Sequence, residues 1–257
     1  MISPNSLQIS KNWWIQFPYH LRLITKIRFF AAFGAGGVIY LTSLIFNNLG
    51  LSATDIGLGF TISAIIGTVT RLFTGNYLNK TGKIQFPIIT SSILSIAASL
   101  CLIFSRDTFL YIIGQSLVGA AAGIYWPAAE FGVPYFCHPI ETRKAYALVR
   151  SSEALGIFLG VFLGGYLTSF LYSKSIFIND IFCMLVITYL ISRNSSSIKR
   201  NLENFQKKLV DPINQGQLKW NKNSTIIILS ILLITTSLAL IQAVSYTHLT
   251  LPTSNSV

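Results

Sequence analysis

Seven apolar stretches lie between Phe29 and Val244, separated by short polar turns, and most are about twenty residues long. Their approximate limits are 27–48, 56–78, 85–105, 109–131, 145–171, 176–192 and 225–244. A hydrocarbon layer roughly 30 Å thick takes about 20 helical residues to cross. Only helices or a closed barrel satisfy their backbone polar groups there. Barrel strands are about ten residues long with apolar and polar positions alternating, whereas these runs are longer and continuously apolar. The pattern predicts an all-α polytopic membrane protein.

Composition points the same way: 52% of residues are hydrophobic, 11% are charged, and the mean hydropathy is +0.59. A soluble domain carries about 25% charged residues. The net charge of +11 would suit a nucleic-acid partner on a soluble domain. Here the cations follow the turns between apolar runs and form no patch, so no nucleic acid is expected. Of the 19 Lys and Arg, 15 fall in the N-terminal segment, the second–third and fourth–fifth turns, and the loop after the sixth run. The positive-inside rule then puts the N-terminus and the even-numbered turns in the cytoplasm, the chain crossing the cell (inner or plasma) membrane.

Residues 1–26 read as a cytoplasmic and interfacial lead, with Trp13, Trp14, Phe17 and Tyr19 at headgroup level. Residues 27–192 read as a six-helix bundle, 193–223 as a basic cytoplasmic linker, and 224–244 as a seventh span. The last stretch, 245–257, has neither helical periodicity nor a stop-transfer pattern and reads as a non-native tail on a truncated chain. Cys101, Cys137 and Cys183 form no CxxC pair, so no disulfide framework, metal or cofactor is expected. No cleavable signal peptide opens the chain.

Three local patterns carry a family resemblance. Between runs two and three stands Gly75-Asn76-Tyr77-Leu78-Asn79-Lys80-Thr81-Gly82-Lys83. Run four contains Gln115, Gly119 and Gly123, then Tyr125-Trp126-Pro127, with Pro139 and Arg143 beyond it. Run five has Gly156, Gly160, Gly164 and Gly165, the first three on one helical face where they allow close backbone contact. In this order the chain resembles the major facilitator superfamily over roughly Phe29 to Leu190. The resemblance implies a six-helix bundle of two inverted three-helix repeats, plus the first helix of a second bundle from an expected twelve. It also implies that Lys80 and Lys83 help latch two halves at the cytoplasmic face, with Gly75 letting helix ends approach and Gly82 permitting the tight turn. Asn79 stands where the family usually has Asp, Gln115 where it has an arginine linked to proton coupling, and Val161 where it has a proline. Proton drive and antiport therefore gain no support from those positions.

Four ionisable residues fall in or at the ends of spans at similar depth: Arg71, Glu130, Arg150 and Glu153. A charge at a helix centre costs about 2.5–3.5 kcal/mol on insertion scales, so such groups pair or face a cavity. Arg150 and Glu153, three apart, are expected to pair along their helix, leaving Arg71 and Glu130 to meet across helices. Together they would form a cytoplasmic-side gate. By the same resemblance the first and fourth helices surround a central cavity, where Tyr40, Gln115, Tyr125 and Trp126 would form the substrate path.

The expected function is secondary transport of a small organic solute by alternating access, with efflux favoured and a coupling proton left open. A membrane-embedded enzyme is disfavoured by the lack of HExxH, paired acids or a Ser/His pairing. A seven-helix receptor fits the number of spans, yet not a cytoplasmic N-terminus or the basic linker before the seventh.

Overall fold

The computed structural model describes residues 13–170, 174–198 and 200. They lie in one compact unit, Met1–Lys207. A second unit, Lys208–Val257, falls outside the described residues, and with it the expected seventh span and tail.

Among the described residues six long helices follow one another: α1 Tyr19–Asn48, α2 Ala53–Thr81, α3 Gln85–Phe104, α4 Thr108–Phe136, α5 Thr142–Phe170 and α6 Ser175–Arg193. Each is long and apolar enough to cross a membrane. Their ends are set by local chemistry. Ser52 and Asp107 cap α2 and α4, accepting from the backbone N–H of Asp55 and Leu110. Gly82 ends α2 in the left-handed region at φ 63°, where its N–H reaches Leu78 O at 2.8 Å. α1 begins eight residues before the apolar run because its first two turns, after Pro18, extend past the stretch that hydropathy detects.

The helices pack as two repeats, α1–α3 and α4–α6. An odd number of crossings in each repeat makes the second start on the opposite side from the first, which is the inverted arrangement. The neighbours obey the same exchange. α1 packs chiefly on α5 and α4 on α2; α1 also meets α6, as α4 meets α3. Between lipid-immersed helices close contact must come from small side chains, since lipid tails are as apolar as leucine. A Cβ on Gly156 would lie 2.6 Å from Phe29 O, and one on Gly160 would collide with Phe33 O. On α4, Gly119 and Gly123 lie equally hard against Ser63 and Gly67 of α2. Gly165 and Gly75 depart from expectation: a Cβ on either would meet nothing within 4 Å. Gly165 is one residue off the packed face, and Gly75 is on the exposed side of α2.

Two apolar clusters fill the ends of the unit. One joins Leu21, Ile24, Ile27, Val133, Phe136 and Ile187; the other joins Val38, Ile45, Phe46, Tyr111 and Phe177. At the second end, Lys174 donates from Nζ to Ile103 O at 2.9 Å and to Ser105 O, tying α6 to the last carbonyls of α3. Burial, then the nearby Arg106, pulls the Lys174 pKa below the usual lysine value. Outward-facing Leu72, Phe73, Phe109 and Phe162 are each at least 70% exposed, an apolar exterior suited to lipid.

Candidate functional site: an ion cluster beneath a helix-lined cleft

At the end of the unit where α1 and α5 begin and α4 finishes, four charged side chains interlock. Arg28 of α1 is fully buried, and its Nη2 donates to Glu130 Oε1 at 2.8 Å and to Glu153 Oε2 at 2.5 Å. Arg150 reaches the same two carboxylates from the outer side, at 2.7 Å and 3.1 Å. Two cations and two anions thus neutralise one another across α1, α4 and α5. Exposure rises outward through the cluster, from 0% at the Arg28 side chain to 55% at Arg150. The Arg28 guanidinium carbon also lies 4.7 Å from the centre of the Trp126 ring, a cation–π contact that helps hold a buried charge.

Arg28 is the residue that the reading of the sequence missed. It stands at the start of the first apolar run, and it occupies the position expected of Arg71. Arg71 and Glu130 do not pair. Arg71 is exposed and forms no ion pair among the described residues, although it lines the same pocket as Trp126, Pro127, Glu130, Arg150 and Glu153. The reason is reach. Arg28 enters from the core side, where α1 and α4 adjoin, and takes Glu130 first.

Trp126 also lines a second space, a cleft of about 600 Å³ counted out to its open mouth. Ala31 and Ala35 of α1, Ser91 and Ser95 of α3, Ala122, Tyr125 and Trp126 of α4, and Asp180 and Met184 of α6 form its walls. Small residues on α1 and α4 leave this volume open, and Tyr125 is fixed by its hydroxyl donating to Ile27 O at 3.4 Å. Trp126 is therefore the partition between the cleft and the ion cluster. Pro127 follows it directly; lacking an N–H, it leaves the Gly123 carbonyl without its helical partner, a weak point in α4.

Two residues expected on the substrate path lie elsewhere. Gln115 is buried, with no partner for its Nε2, and does not line the cleft. Tyr40 lines a separate apolar depression with Ile157, Phe158, Val161 and Phe162. Both residues are on the expected helices; their places around the helix axes turn them away from the cleft. The latch residues lie around the end of α2, with Asn79 and Lys80 exposed on its last turn, Gly82 shaping the bend and Lys83 exposed just beyond it. Arg143 is in the exposed first turn of α5, 3.4 Å from Glu141 and apart from the buried cluster.

Asp180 was also missed. It is 3% exposed. Its Oδ2 accepts the hydroxyls of Ser95 at 2.9 Å and Ser99 at 2.7 Å, a pair one helical turn apart on α3. Gly34 leaves room for Oδ1, which a Cβ there would approach at 2.8 Å. The available signal was a lone acid in the sixth apolar run together with serines spaced four apart in the third.

Set against known proteins, residues 27–254 match the family model described as Major Facilitator Superfamily. The match runs beyond Leu190, where the motif resemblance stopped, and takes in most of the stretch after Val244. No curated protein matches the chain.

Proposed function

Because this chain belongs to the Major Facilitator Superfamily, a family of membrane transporters, we propose that it moves a small organic solute outward across the cell membrane by alternating access. The observation that carries this reading is the pairing of a closed ion cluster with a cleft on the two sides of one residue, Trp126. The N-terminus and the cluster face the cytoplasm, in accord with the distribution of Lys and Arg.

In this reading the state described has its cytoplasmic side shut. Arg28, Glu130, Glu153 and Arg150 tie α1, α4 and α5 together below the cleft, and the glycine seam between α1 and α5 keeps those helices in close register. Opening separates α5 from α4 and hands Glu130 to Arg71, the nearby cation that has no ion pair in the closed form. Exchanging one ion pair for another keeps the net cost small, since Glu130 keeps a cation at both ends of the movement and Arg71 is exposed to water while it has none. Lys80, Lys83 and Asn79 at the α2–α3 turn serve as the cytoplasmic latch to a second bundle.

The test is accumulation of a panel of neutral and monocationic amphipathic dyes in cells expressing the chain. Expression is expected to lower accumulation of at least one dye by twofold or more. Arg71→Ala is expected to abolish that effect at equal membrane abundance, because among the described residues its side chain supports no ion pair. Equal accumulation with and without the chain would contradict transport.

A further inference from the structure

The buried carboxylate of Asp180 has no role in the closing mechanism, yet it is part of the cleft wall. It is an acid on a membrane-spanning helix with no cation beside it, an arrangement that costs several kcal/mol unless something compensates. Two serine hydroxyls satisfy Oδ2, while among the described residues no donor reaches Oδ1. Among the described residues no basic side chain faces it: α1 offers Gly34, α3 offers Ser95 and Ser99, and α6 offers Cys183. Arg28 is six residues from Gly34, about 9 Å along the α1 axis; its Nη2 is committed to Glu130 and Glu153, while its Nε and Nη1 have no hydrogen-bond partner among the described residues. The remaining wall combines alanines and larger aliphatic residues such as Ile39 and Met184 with Ser91, Tyr125 and Trp126. One uncompensated negative group, two aromatic rings and a surface that is mostly apolar apart from Ser91 and Ser95 complement a molecule with a single positive charge and an apolar body.

Resting on the transport reading above, we propose that Asp180, held in position by Ser95 and Ser99, is the subsite that selects organic monocations in this cleft. Gly34 has a part in the arrangement: any side chain there would press on Oδ1 and displace the carboxylate from the wall. The serines are positioning residues, fixing one oxygen so that the other faces the solute.

The test compares benzyltrimethylammonium, a permanent monocation, with neopentylbenzene, its neutral isostere, binding to the purified full chain in lipid nanodiscs. The cation is expected to bind at least tenfold more tightly. Asp180→Asn is expected to erase that preference while Asp180→Glu keeps it, both chains showing the unaltered helical circular dichroism signal. A second measurement needs no variant. A hydrophobic carbodiimide adds to the protonated carboxyl of Asp180, giving an N-acylurea detected by peptide mass. The cation should slow that labelling at least fivefold, and the isostere should not. Equal affinity for the two probes, no binding of the cation, or labelling indifferent to the cation would overturn the proposal. These results are separable from the transport reading. Cation preference without dye efflux would keep the subsite and remove transport, whereas efflux of neutral dyes without cation preference would do the reverse.

Discussion

Arg28 shows how strongly position governs the meaning of a charged residue in this chain. It is two residues inside the first apolar run, and counting by sides places it with the cytoplasmic cations. Its backbone depth, however, brings the guanidinium onto two carboxylates and an indole ring. Removing one partner from such a buried set leaves the others uncompensated, a loss of about 3–5 kcal/mol. Arg28→Met is therefore expected to lower the thermal unfolding midpoint in detergent substantially, whereas Arg143→Met, on the exposed first turn of α5, should leave it unchanged. Equal effects would show that the cluster does not hold the fold. The Arg150–Glu153 pair could be read directly from a spacing of three on one helix. The partners of Glu130 could not, because they depend on how α1 is rotated against α4. Asp180 was legible in principle, as a lone acid amid apolar residues. Its serine partners are some eighty positions away, and only the packing of α3 on α6 joins them.

Helices were the most legible level, since membrane spans announce themselves by length and continuous apolarity. The limits of α2 to α6 fall within about five residues of the expected spans, and α1 runs longer at its start because hydropathy detects the lipid-matched part alone. Glycine spacing identified a packing face on α5 but not where that face ends. Gly156 and Gly160 touch backbone oxygens of α1, while Gly165 borders open space. A paired experiment follows. Gly160→Val forces α1 and α5 apart and is expected to destabilise the chain by about 1–3 kcal/mol, the usual cost of overpacking. Gly165→Val should be tolerated. Thermal unfolding of the two variants side by side checks this, and similar losses would mean that the seam is not what joins these helices.

At the scale of the whole molecule, the exchange of neighbours between α1–α3 and α4–α6 gives two equivalent contacts, α1 with α5 and α4 with α2. Glycines occupy both seams. Among the described residues the ion cluster is built at one end, beside α1 and α5, an asymmetry in keeping with the one-sided closure proposed above. The most direct measurement is the rate at which a membrane-impermeant thiol reagent, applied from the side bearing the N-terminus, labels Ala122→Cys in the cleft of a chain whose three native cysteines are serine. Labelling should be slow with the cluster intact and accelerate at least fivefold with Glu130→Gln. An unchanged rate would contradict closure of the cleft by these four charges.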